Sequence, residues 1–389
     1  MKIFYYCQYV LGIGHYFRSL EICKAFAGQD VILVTGGSRI PAKRPSHVRE
    51  IHLPELMMNQ EFSLLYSPEE GKSVTQVKEE RTRLLFKLFQ AESPDLFIVE
   101  LYPFGRKAFR FEIDPILEGI RCGELPPCRV VCSLRDILVE KKDPAAYETG
   151  VIDILNRYFD ALLIHADPQV LKLDETFSRL TEIAVPIVYT GYVTPKPAPD
   201  AGTKLRRQLG IGQEEILIVA SAGGGSVGNK LLEAALEAFG LMKIDEPVYL
   251  HVFTGPFLSE EAFERLRRIA GGRIQIFRFT SDFLSYLSGA DLSVSMAGYN
   301  TCMNIAAARV PALVWPFPQN REQGLRAVRL AELGILQVLS EEDLQPGRLA
   351  AIMRQGITVR SRSIASIDLN GAENTARWLA ENPAARERV

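Results

Sequence analysis

The sequence predicts an α/β protein of two domains, each built on a parallel sheet. Short apolar runs alternate with amphipathic ones, the pattern of buried parallel strands separated by helices. The pattern stops at a proline-rich break and then starts again. Each half also places a loop of small residues directly after its first strand. At 389 residues the chain exceeds one ordinary core, so two domains of about 150–200 residues are the default.

In the first half the expected strands are Lys2–Cys7, Asp30–Thr35, Asp95–Glu100, Arg129–Ser133 and Ala161–His165. Phe17–Ala27 and Val77–Gln90 read as helices between them. The stretch TGYVTPKPAPDAGTK reads as a linker, because Pro195, Pro197 and Pro199 fit neither a helix interior nor a central strand. Beyond it Ile216–Ala220, Val248–Phe253, Ile274–Phe277, Leu292–Ser295 and Ala312–Trp315 read as strands, and Lys230–Phe239 and a segment near the end, NGAENTARWLAEN, as helices. The basic residues Arg39, Lys43, Arg44 and Arg49 read as a solvated loop, with a phosphate- or membrane-facing patch as the alternative.

Composition excludes several classes. The net charge of −2 gives no whole-molecule reason to expect nucleic acid as a partner. None of the six cysteines forms a C-x-x-C pair, so reduced thiols are expected rather than disulfides or zinc. No signal peptide is legible, and no apolar run approaches the ~20 residues a membrane span needs. The expectation is a cytoplasmic protein, with peripheral contact at the inner face of the membrane left open. D-x-D and H-E-x-x-H are both absent.

Loops at the C-terminal ends of parallel strands carry the chemistry of such folds, because they face helix N-termini that offer free N–H groups to anions. SAGGGSVGNK lies in that position. Its glycines permit close backbone approach, and Ser221 and Ser226 add hydroxyl donors, so a diphosphate suits it. It is not a Walker A loop. The first loop, Gly12-Ile13-Gly14-His15, departs further from a dinucleotide fingerprint. Position 17 is Phe, and no carboxylate ends the second strand to hold a ribose. What remains is a histidine at the mouth of a helix, where the dipole lowers the imidazole pKa and favours a neutral base. In the third segment, SMAGYNTCMNIAAARVPALVWPFPQNREQ, Asn300 or Thr301 is expected to cap a helix. Gln319, Asn320, Glu322 and Gln323 suit sugar hydroxyls.

Together, GIGH after the first strand, TGYV before the linker, SAGGGS opening the second half and SMAGYNTCMNIAAARVPALVWPF…NREQ resemble the GT-B glycosyltransferases. The branch resembled is the MurG-like one, glycosyltransferase family 28. Within it, LGIGH, PFGR and SLRDILVEK look like an uncharacterised bacterial group of predicted glycosyltransferases. The resemblance covers nearly the whole chain. It implies two Rossmann-like α/β domains with a cleft between them: an acceptor-binding domain over 1–195, a nucleotide-sugar-binding domain over 196–368, and a C-terminal helix in 369–389 that crosses back. It also implies an inverting enzyme that takes a nucleotide-sugar donor, usually UDP-linked, and needs neither metal nor cofactor, the nucleotide-sugar being a substrate.

By position, the resemblance places Ser221, Gly223, Gly224, Gly225 and Ser226 on the donor diphosphate, with Ala297, Gly298, Tyr299, Asn300 and Thr301 against the diphosphate and ribose. Phe279 and Thr280 fall near the base. Asn304 stands where related enzymes hold the ribose with Glu, and Glu322 and Gln323 match the pair that binds the donor sugar. On the acceptor side stand Gly12 and Gly14, with Arg106 and Arg135 suited to an anionic acceptor. His15 is the first candidate for general base; Glu100 and Asp136, at the ends of buried-looking strands, are the others. The alternative is a nucleotide-sugar epimerase or hydrolase of the same architecture. Acceptor, donor sugar and oligomeric state are not specified.

Overall fold

The computed structural model describes residues 1–10, 13–58, 64–69, 71–137, 143–225, 227–358 and 366–383. The chain forms two compact units, one of Met1–Val193 with the segment from Ile367 on, the other of Thr194–Ser366. Each is an α/β unit with helices packed on a parallel sheet.

The first unit runs β1 (Lys2–Tyr6), α1 (Gly14–Ala25), β2 (Asp30–Thr35), β3 (Val48–His52), the small hairpin β4 (Met57–Met58) and β5 (Leu65–Tyr66), α2 (Val74–Glu92), β6 (Leu96–Glu100), α3 (Arg110–Cys122), β7 (Arg129–Arg135), α4 (Pro144–Tyr158), β8 (Ala161–His165) and β9 (Ile187–Tyr189). Its main sheet has the order β3-β2-β1-β6-β7-β8-β9, and every pairing is parallel. The central strands are buried on both faces, which is why they read as continuous apolar runs. Local signals start the helices. Ser73 and Gln76 form a capping box for α2, and Asp143 caps α4 ahead of Pro144.

The second unit runs α5 (Ala201–Leu209), β10 (Ile216–Ser221), α6 (Asn229–Leu241), β11 (Val248–Phe253), α7 (Glu260–Arg267), β12 (Ile274–Phe277), α8 (Phe283–Gly289), β13 (Leu292–Met296), α9 (Tyr299–Ala308), β14 (Ala312–Trp315), α10 (Arg321–Glu332), β15 (Gln337–Val338) and α11 (Pro346–Thr358). Its all-parallel sheet has the order β12-β11-β10-β13-β14-β15. The chain then returns as α12 (Gly371–Glu381), whose Ala372 and Leu379 join the core formed by β1, α1 and β2. No helix of the described residues is long and apolar enough to cross a membrane.

Three local expectations are corrected. The linker reading runs too long, because α5 begins at Ala201, immediately after the prolines. Arg49 is not in a loop: it lies in edge strand β3, with its guanidinium 2.7 Å from Glu92. An edge strand keeps polar side chains, so it lacks the apolar run that betrays a buried one. Neither Asn300 nor Thr301 caps α9. Gly298 holds the N-cap position, with extended backbone and no side-chain cap.

Candidate functional site

Both sheets reverse their winding direction at one point, between β1 and β6 in the first unit and between β10 and β13 in the second. In open parallel sheets a crevice opens there at the C-terminal ends of the strands. The chemistry-bearing loops of each unit lie at that edge.

In the first unit the β1–α1 loop delivers His15 in the first turn of α1, and β6 ends on Glu100. The parallel pairing of β1 with β6 brings these residues together across 85 positions, with His15 Nδ1 2.7 Å from Glu100 Oε1. Arg18, one turn on in α1, bonds the same carboxylate oxygen. Arg106 Nε lies 3.9 Å from the other oxygen. Glu100 is fully buried. Burial pushes its carboxyl up, but the His15 ring and the Arg18 and Arg106 guanidiniums prevail and hold it well below the usual carboxylate range. An ionised carboxylate only accepts, so His15 Nδ1 carries the proton and Nε2 keeps its lone pair. Nε2 has no partner among the described residues, and the ring is 17% exposed. Burial pushes the imidazole down to about 3, against the pull of Glu100 and helped by Arg106. The result is a neutral imidazole with one open nitrogen, oriented from behind by a buried anion.

This geometry separates the three base candidates. His15 alone reaches the surface. Glu100 at 0% exposure and Asp136 at 1% are buried. Asp136 Oδ1 accepts from Ile137 N at 2.9 Å. Arg106 stands at positive φ (58°) after β6, and Arg135 ends β7 near enough for its charge to act on Arg106. Gly14 opens α1. Gly12 lies outside the described residues.

In the second unit Ser221 ends β10, and its Oγ accepts from Gly223 N at 3.1 Å, which turns the chain into the glycine loop. Gly225, at φ 86°, is packed so tightly that a Cβ would overlap the Thr254 carbonyl oxygen. Gly223 and Gly224 differ. A Cβ on Gly223 would meet only Thr301 Oγ1 at 3.8 Å, and one on Gly224 only Phe257 at 3.8 Å. Across the switch point, a Cβ on Gly298 would meet only Thr301 Oγ1, at 3.9 Å. Two glycines from two loops therefore open toward one hydroxyl. That hydroxyl has no hydrogen-bond partner among the described residues. Neither α6 nor α9 carries a side-chain cap at its N-terminus. Ala297 is buried and Tyr299 packs under the Arg326 guanidinium, 5.4 Å from the ring centre. Asn300 is the second residue of α9. Ser226 lies outside the described residues.

The remaining candidates spread along the same edge. Phe279 is exposed after β12, and Thr280 Oγ1 accepts from Asp282 N at 3.1 Å. Asn304 sits on α9, and its side-chain oxygen accepts from Thr194 Oγ1 at 2.8 Å. After β14, Gln319 is exposed. Asn320 Oδ1 caps α10 by accepting from Gln323 N, and Gln323 Oε1 accepts from Phe317 N at 3.0 Å. Both amide oxygens are thus bonded to nearby backbone. Glu322 is 5% exposed.

Two residues escape the sequence reading. Arg18 holds Glu100, and its spacing of three from His15, one helical face, is the signal that finds it. Arg326 is 1% exposed and reaches Ala297 O at 3.5 Å. It lies four residues from Glu322 on α10, the same kind of signal.

Comparison with known proteins agrees with this layout. Residues 219–377 match the model of the glycosyltransferase family 28 C-terminal domain. An uncharacterized glycosyltransferase of Methanopyrus kandleri is 26% identical over 232 residues, 58% of this chain and 62% of that one. The UDP-N-acetylglucosamine–N-acetylmuramyl-(pentapeptide) pyrophosphoryl-undecaprenol N-acetylglucosamine transferase of Carboxydothermus hydrogenoformans is 32% identical over 123 residues, 31% of this chain and 32% of its own length. This chain thus spans less than two thirds of either relative. The crystal structure of Acinetobacter baumannii MurG superposes with a TM-score of 0.55 at 17% identity, covering 98% of this chain and 99% of that one.

Proposed function

From a MurG-like chain with the GT-B fold, we propose a glycosyltransferase that moves a hexosyl or N-acetylhexosaminyl group from a nucleoside-diphosphate sugar, UDP-linked, to an acceptor hydroxyl. The observation that carries the reading is the cradle of the second unit, where Gly223 and Gly298 open toward the Thr301 hydroxyl beside two uncapped helix N-termini. Helix N-termini and a hydroxyl donor match the oxygens of a diphosphate.

In the proposed step His15 Nε2 takes the proton of the acceptor hydroxyl as its oxygen attacks the anomeric carbon. The bond from that carbon to the phosphate oxygen breaks, and its electron pair leaves with the nucleoside diphosphate. A single in-line displacement inverts the centre. The developing negative charge meets the N–H groups of α6 and α9 and the Thr301 hydroxyl, so the reading calls for no metal. Glu100 stabilises the imidazolium formed. The assignment of Arg106 and Arg135 is an anionic group on the acceptor.

A thermal-shift panel of nucleotides and nucleotide sugars tests the donor. A ligand at 100 times its Kd adds about 2.7 kcal/mol of stability. His15→Ala then tests the base, with an expected loss of at least about a hundredfold in kcat and little change in UDP affinity. Normal turnover by that variant refutes the base assignment. Prompt release of free sugar or an epimer without any acceptor refutes transfer as the reaction.

A further inference from the structure

Among the described residues of the second unit, only two aromatic rings are exposed, Phe257 at 41% and Phe279 at 43%. Both lie on the edge that carries the glycine loop. Phe257 follows β11 and Phe279 follows β12, the two strands on one side of β10. The other aromatic side chains of this region turn inward: Phe253, Phe277, Phe283 and Tyr286 pack ring on ring.

Phe257 is held where it is by backbone. Its N–H donates to Gly224 O at 3.0 Å. Gly255, two residues earlier, stands at φ 85°, and a Cβ there would lie 2.5 Å from Gly223 O. Thr254 N and Gly255 N donate to Phe277 O at 2.9 Å and Arg278 O at 2.8 Å, which ties in the loop that carries Phe279. The three loops form one layer of backbone on backbone, and the Phe257 ring stands beside Gly224 with its Cδ2 3.8 Å from where a Cβ would be. Phe257 has no ring contact with another described residue.

The strand order gives the site a direction. The diphosphate cradle lies over β10 and β13. The amide-rich loop Gln319–Gln323 follows β14 on one side, and the two exposed rings follow β11 and β12 on the other. A nucleoside-diphosphate sugar laid along this edge puts its sugar toward the amides and its nucleoside toward the rings. We propose that Phe257 is a specificity residue of the donor site, its phenyl face stacking against the nucleoside of the bound nucleoside diphosphate. The inference rests on the donor reading of the cradle. Stacking uses the π-face that every base presents, so Phe257 selects for a nucleoside over bare phosphates rather than for one base.

Calorimetric titration with UDP and with inorganic pyrophosphate, on wild type, Phe257→Ala and Phe257→Trp, tests this. Phe257→Ala is expected to weaken UDP about tenfold or more, leave pyrophosphate within about twofold, and melt within about 2 °C of wild type; Phe257→Trp restores UDP. Equal weakening of both ligands, or no weakening of either, overturns the role of Phe257 while leaving the cradle standing. A wild type that binds neither ligand refutes the donor reading and this inference with it.

Discussion

Lowering the pH from 7.5 to 5 should destabilise the first unit about twice as much as the second. Burial pushes His15 and His165 in the first unit down to about 3, and His251 in the second down to about 4. In the unfolded chain each returns to about 6.5. Between the folded and unfolded values only the unfolded chain binds the proton, so stability falls as pH falls through that window. Integrated from pH 7.5 to 5, one such histidine removes about 2 kcal/mol. The first unit therefore loses at least about 4 kcal/mol and the second about 2. His52, also pushed down by burial and by Arg39, adds to the first unit. Carboxylates contribute little, since unfolded Asp and Glu titrate near 4. The chain's two tryptophans separate the units, Trp378 on α12 in the first and Trp315 on β14 in the second. Urea unfolding at both pH values, followed by fluorescence of Trp315→Phe and of Trp378→Phe, reads each unit on its own tryptophan. His165→Gln in the Trp315→Phe background should recover about 2 kcal/mol of the pH 5 loss. Equal losses in the two units, or an unchanged loss in His165→Gln, refute the burial of neutral histidines, His15 included.

Other outcomes follow from the same geometry. Gly224→Ala should fold normally, because its Cβ meets only Phe257 at 3.8 Å, and under the proposed donor site should weaken UDP binding; Gly225→Ala should lower the melting temperature, because its Cβ overlaps Thr254 O. Differential scanning fluorimetry with and without UDP separates the two, and unchanged UDP affinity in Gly224→Ala removes the diphosphate from that position. Thr301→Val should leave stability unchanged and weaken UDP about tenfold by calorimetry, since its hydroxyl bonds nothing in the described protein and a bond to a charged oxygen is worth about 1.5–3 kcal/mol. Glu112→Ala strands Arg81, fully buried and bonded through Nε to Glu112 Oε2 at 2.8 Å; urea unfolding should show a loss of about 3–5 kcal/mol, and a loss under 1 kcal/mol means the pair is dispensable.

The sequence by itself determined the α/β class, the position of most strands and the loops worth watching. A buried parallel strand must be apolar on both faces, and such runs are local; Asp30–Thr35, Ala161–His165 and Val248–Phe253 are strands over the same residues in the structure. GIGH and SAGGGS were legible for the same reason, since a strand-to-helix turn needs small residues beside it. Strand order is not local. Only the placement of β6 beside β1 set the buried Glu100 carboxylate against His15. Only the pairing of β10 with β13 pointed Gly223 and Gly298 at a single hydroxyl. Polar side chains were the least legible of all. Asn320 suits a sugar and a helix cap equally well, and whether its oxygen meets a ligand or Gln323 N depends on where α10 begins. Burial and hydrogen-bond partners come from neighbours distant in the chain, so the tertiary structure alone decided which polar groups remain to meet a substrate.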